Sequence, residues 1–85
     1  MEASFEKELK NLIIKNSILR ISESEITDES DIINDFGYNS ITIIQIVIDI
    51  EREFGIEFEE DDLAIDIIGN YKTLKEYIGK RIPVR

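Results

Sequence analysis

Cysteine and histidine are both absent from this 85-residue chain. Without them a thiol nucleophile, a Cys/His zinc site and a Ser-His-Asp triad cannot be built, which excludes most hydrolytic chemistry. No disulfide can brace the fold, so its stability must come from the core, and the cytoplasm is the expected compartment. Long apolar runs are missing too. The most apolar stretch, Ile41 to Ile48, is interrupted by Thr42 and Gln45 and falls short of a membrane span. The acidic N-terminus lacks the basic region of a signal peptide, so a soluble protein with no membrane partner is expected.

Positive charge is scarce. Ten Lys and Arg face nineteen Asp and Glu, a formal net charge of −9. From Ser22 to Asp66 there are fifteen acids and a single base, Arg52, whereas Lys72 to Arg85 carries five bases against Glu76 alone. Such a middle segment repels nucleic acid, and a partner steered by charge would present it with a basic patch.

The length suits one domain over residues 1–85. No repeat, Ser/Gly linker or low-complexity tract divides it, which leads us to expect a free-standing unit and a monomer. Phe5, Leu9, Leu12 and Ile13 recur at helical spacing and predict an amphipathic helix over 4–18 with Ser4 as N-cap. Residues 20–39, rich in Ser, Asp, Glu and Asn, predict a long ordered loop pinned by Ile26, Ile32, Ile33 and Phe36, with Gly37 allowing a tight turn. A second helix is predicted from Ser40 to Phe54, closed by Gly55. Its β-branched residues would suit a strand, but its continuous length and the charges at Asp49, Glu51, Arg52 and Glu53 favour a helix held by packing. A short third helix is predicted over 59–68, and a last one from Thr73 to Ile82, with Thr73 as N-cap and Pro83 beyond its end. The expected fold class is all-α: a small four-helix bundle with a long loop between helices one and two and a short third helix.

The second helix carries more apolar surface than a small core needs. Ile43, Ile46, Val47, Ile50 and Phe54 form one stripe, and Ile41, Ile44 and Ile48 form another at i, i+3, i+7. One stripe should face the core. The other then lies near the surface beside Ser40, among Thr42, Gln45, Asp49 and Arg52, as on a helix offered to a partner. Its alternative fate is burial beneath the loop and third helix. Ser40 itself stands where a Gly turn meets a helix start, a position at which serine commonly serves only as an N-cap.

Glu25-Ile26-Thr27 and the run Ile32-Ile33-Asn34-Asp35-Phe36-Gly37-Tyr38-Asn39-Ser40-Ile41 resemble the acyl carrier protein family. There an apolar pair, an acid, Leu-Gly and Asp-Ser-Leu occupy the same spacing. Ile46-Val47, Ile50-Glu51 and Glu53-Phe54-Gly55, followed by Ile56-Glu57-Phe58 and acids, are similar to that family's second helix and its exit. The gap-free resemblance spans Glu25 to Phe54, and a looser one covers most of the chain. It implies that Ser40 receives 4'-phosphopantetheine from coenzyme A by the action of a phosphopantetheinyl transferase, and that the domain carries acyl or aminoacyl thioesters rather than catalysing a reaction. Synthase and loading enzymes are then the partners, with Asn39, Ile41, Ile44, Gln45 and Ile48 as the contacting residues. A chain without Cys needs a borrowed thiol for this, and a phosphodiester at a helix N-terminus meets unpaired N–H groups. The transferase supplies the catalysis, so Ser40 needs no neighbouring base.

Two positions depart from the family pattern: Asn39 replaces the usual Asp and Ile41 the usual Leu. Thr42 and Gln45 stand where fatty-acid carriers commonly have acids. Asn70-Tyr71-Lys72-Thr73-Leu74 resembles the entry to the last helix in discrete carriers of polyketide and peptide pathways. The alternative from another class is a protein–protein adaptor of the same fold with Ser40 unmodified. Calcium binding by Asp28, Ser30, Asp31, Asn34 and Asp35, or by Glu59 to Asp62, lacks the alternating ligands, central Gly and closing Glu of an EF-hand, so no metal is expected.

Overall fold

The computed structural model describes residues 4–59 and 65–82. Among them are five α-helices and no strand. In chain order they are α1 (Ser4–Asn16), α2 (Ile32–Phe36), α3 (Ser40–Phe54), α4 (Ile65–Ile68) and α5 (Tyr71–Arg81), with a 3-10 turn at Glu23–Glu25 between α1 and α2.

α1 ends two residues before the periodicity suggested, because Asn16 turns back on its own helix. Its side-chain amide donates to the Leu12 carbonyl at 2.9 Å and to Asp49 at 3.0 Å, while the Ser17 amide tightens the last turn onto Ile14 O at 3.2 Å. The cap expected of Ser4 rests on side-chain atoms outside the described set. α3 and Gly55 match the expected bounds, with Gly55 left-handed at φ 68, ψ 35. Packing decides for helix over strand here: Ile46 and Ile50, four residues apart, are both buried, and Ile43, Val47 and Phe54 pack against the core. Each fully buried Ile contributes roughly 1.5–3 kcal/mol, enough to override the weak helix preference of β-branched residues.

The loop between the first two expected helices is ordered as predicted, with Ile26, Ile32 and Phe36 buried. It also contains a helix that the sequence did not announce. α2 is five residues long, too short for a hydrophobic period to register. Its ends hold it: Asp31 accepts the Asn34 amide at 3.0 Å, Asp35 accepts the Asp31 amide at 3.0 Å, and Gly37 closes it.

The last helix begins at Tyr71, and its N-cap is Asn70, not Thr73. Asn70 lies in the extended region and its side-chain oxygen accepts the Thr73 amide at 3.1 Å. Thr73 sits one turn in, and its hydroxyl instead points back to the Ile67 carbonyl at 2.9 Å, fastening α4 to α5. Of the third helix expected over 59–68, Glu59 is non-helical, α4 supplies the end, and 60–64 lie outside the described residues, as does Pro83.

α1 packs on α3 and α4 on α5. Leu9 and Ile13, Ile46 and Ile50, and Tyr71, Leu74 and Ile78 bring three helices to one core. Phe5 and Phe54 meet edge to face at 6.0 Å, and Phe58 stacks on Tyr77 at 4.9 Å. A bridge between Asp31 and Asn70, made by Ile32 N to Gly69 O at 2.7 Å and Tyr71 N to Ser30 O at 3.1 Å, ties the entry of α2 to that of α5. The front of the molecule, which carries α2 and the start of α3, is thereby fixed at the entry of α2.

Candidate functional site

The turn between α2 and α3 is built from Gly37 to Asn39, each residue with a separate task. Gly37 takes φ 73, ψ 25, a left-handed conformation that costs a side-chain-bearing residue about 1–2 kcal/mol. The Tyr38 amide donates to Ile33 O at 3.1 Å, completing the helix end. Tyr38 then drops its ring into the core and donates its hydroxyl to the Ile13 carbonyl at 2.7 Å. Burial, reinforced by the Asp49 charge, keeps that phenol protonated. Behind the turn, the Ser17 hydroxyl lies 2.8 Å from Phe36 O and 2.7 Å from Leu19 O, so the exit of α1 is fastened to it as well.

Asn39 caps α3. Its side-chain oxygen accepts the Thr42 amide at 2.9 Å, and the Thr42 hydroxyl accepts the Asn39 amide at 2.7 Å. This reciprocal pair satisfies two of the four orphan donors of the first turn and leaves the amides of Ser40 and Ile41. Ser40 is the first helical residue, not the cap. It is exposed, and no hydrogen bond engages its hydroxyl among the described residues. A phosphate ester fits such a place: an accessible oxygen without an intramolecular role, beside two free backbone donors at the positive end of a fifteen-residue helix.

The second apolar stripe of α3 lies outward. Ile41, Ile44 and Ile48 are 66, 59 and 45% exposed, and Gln45 between them is exposed too. Asp49, on the flank, is held by Asn16 at 3.0 Å and Lys15 at 3.6 Å. Ile44 and Ile48 also edge an open apolar cleft of ≈ 210 Å³ between α3 and α4, whose other walls are Ile43, Val47 and Ile68. The acids considered as calcium ligands have local uses: Asp28 pairs with Lys75 at 2.8 Å, and Asp31 and Asp35 cap α2. Of the second acidic group, residues 60–62 lie outside the described set.

Sequence reasoning missed two participants. Thr42 was readable, since Asn39-x-x-Thr42 has capping-box spacing. Tyr38 carried no local signal, because its partner lies 25 residues away. Ile18 and Leu19, 60 and 50% exposed, follow the end of α1 at Asn16, although the helix was expected to run to residue 18.

Residues 8–80 match the family model described as "Phosphopantetheine attachment site". The chain is 35% identical over 72 residues to the acyl carrier protein of Coprothermobacter proteolyticus, an alignment covering 85% of this chain and 79% of that protein. It is 34% identical over 65 residues to the acyl carrier protein of Thermotoga maritima, covering 75% and 76% respectively. A model match along most of the chain and relatives aligned over three quarters or more of it agree, and the chain belongs to the acyl carrier protein family, whose cofactor is phosphopantetheine.

Proposed function

We propose that Ser40 is the attachment residue, and that the domain carries acyl or aminoacyl groups on the arm for fatty-acid, polyketide or related biosynthesis. The observation that supports this most is the division of labour at the start of α3. Asn39 and Thr42 finish the helix end between them, so the intervening hydroxyl is left unengaged. In attachment the Ser40 oxygen forms the new bond to phosphorus, a phosphoanhydride bond of coenzyme A breaks, the adenosine bisphosphate leaves, and the hydroxyl proton passes to the transferase. When bound, the arm supplies the thiol that this chain lacks, on a tether long enough to reach the buried sites of other enzymes.

The chain's own part is to present, not to react. Gly37 and Tyr38 hold the turn, the amides of Ser40 and Ile41 offset phosphate charge, and Asn39, Ile41, Ile44, Gln45 and Ile48 form the face that partner enzymes meet. The cleft beside Ile44 and Ile48 suits an apolar portion of the cargo. In this reading the protein is a non-enzymatic, cytoplasmic carrier that works as a monomer. Among the described residues no helix is long and apolar enough to cross a membrane.

Incubation with coenzyme A and a broad-specificity phosphopantetheinyl transferase, followed by intact mass measurement, tests the assignment. One arm per chain is expected, with Ser40→Ala unmodified yet as stable as wild type. A wild-type chain left unmodified by several transferases would support the adaptor reading instead.

A further inference from the structure

Ile18 and Leu19 are adjacent, large, apolar and more than half or half exposed, at 60 and 50%. They do not hang free. Leu19 Cγ lies 3.1 Å, and Ile18 Cβ 3.6 Å, from the point a side-chain carbon would occupy on Gly37. Ser17, bridging toward Phe36 O and Leu19 O, holds the pair against the turn. Gly37 in turn is three residues before Ser40, a span of at most about 11 Å. An apolar ledge is therefore docked on the N-terminal side of the serine, in addition to the α3 stripe on its C-terminal side.

We infer that Ile18 and Leu19 are docking residues for the phosphopantetheinyl transferase, which grips the Ser40 turn on an uncharged ledge. The inference rests on Ser40 being the attachment residue. Enzymes that use the finished arm act on its far end, but the transferase must bring its active site onto the Ser40 oxygen itself. A standard interface covers ~800 Å² per partner, a disc roughly 16 Å in radius, so a footprint centred on Ser40 reaches the residues touching Gly37. What it meets at Ile18 and Leu19 is apolar. α3 has no acid in its first turn, and Asp49 is already paired with Lys15 and Asn16. Arg20, next after Leu19, and Asp35, two residues before Gly37, are exposed charges at the edge of the ledge, but Ile18 and Leu19 themselves offer only apolar surface, to which an apolar surface of the transferase would be complementary.

The test uses the full chain, coenzyme A and a broad-specificity transferase, with steady-state rates measured against carrier concentration. Peptide mapping of modified wild type comes first: an arm on any residue but Ser40, or none, defeats the attachment reading itself. Given modification at Ser40, Ile18→Gln and Leu19→Gln are each expected to raise KM for the carrier about tenfold while kcat stays within about twofold. Leu19→Met should restore the wild-type KM, and helical content and melting temperature should be unchanged in Ile18→Gln. Unchanged KM in both Gln variants overturns the docking role, as does a fall in kcat at constant KM. Neither result would alter the assignment of Ser40.

Discussion

The Tyr38 hydroxyl donates to the Ile13 carbonyl at 2.7 Å, joining the residue two before Ser40 to the last full turn of α1. Ile13 lies where a helix runs out of amide partners. The Ser17 amide that would have served it bonds Ile14 O instead, so the tyrosine satisfies an acceptor that would otherwise be buried and unpaired.

Tyr38→Phe keeps the ring and removes only that bond. A loss of about 1–3 kcal/mol is expected from the stranded carbonyl, read from the urea midpoint with helical content in dilute buffer preserved. A variant as stable as wild type would show that the carbonyl finds another donor.

Gly37 and Gly55 share a left-handed backbone but differ in surroundings. A side-chain carbon on Gly37 meets Leu19 Cγ at 3.1 Å, whereas nothing lies within 4 Å of one on Gly55. Gly55→Ala should cost about 1 kcal/mol from conformation alone, and Gly37→Ala more, up to about 2 kcal/mol. Equal losses in chemical denaturation would indicate that Leu19 yields without cost.

The two stripes of α3 should respond oppositely to substitution. Ile44→Glu and Ile48→Glu are expected to leave a cooperative fold while weakening transfer to partner enzymes, because both side chains already face solvent. Ile50→Ala, in the core, should cost about 2–5 kcal/mol. A collapse of helicity in Ile44→Glu would mean that this stripe is also needed for packing.

Acid should destabilise the front of the molecule. The Asn34 backbone amide, with help from its side chain, holds the Asp31 carboxyl below its ordinary value, and the Lys75 ammonium does the same for Asp28. Each group binds protons less readily folded than unfolded. Their stabilisation is thus complete above the ordinary carboxylate pKa of about 3.9 and is lost as pH falls through the lower folded value. Melting temperature should drop as pH falls below about 4, less steeply in Asp31→Asn. Identical slopes for the variant and wild type would remove Asp31 from this account.

What was legible in the sequence was governed by neighbours along the chain. α3 could be read with its bounds because fifteen residues offer two stripes and a terminal glycine, and the outward set Ile41, Ile44, Ile48 followed from the same period. α2 was hidden, since five residues contain little more than one turn. The cap of α5 was misplaced by three residues because Asn70 and Thr73 are both good caps, and the choice between them was made by tertiary contacts: Asn70 also reaches Asp28 O and Ser30 O, and Thr73 reaches Ile67 O. Ser40 was legible as a helix start, but that its hydroxyl is unengaged depends on Asn39 and Thr42 pairing across it.

Because that pair closes over the serine, esterification of Ser40 would rupture no internal bond and removal of the ester would create no vacancy. Loading would then cost the fold none of its existing bonds and add only the pairing of phosphate with the Ser40 and Ile41 amides, so that charging the carrier would brace the helix start instead of disturbing it.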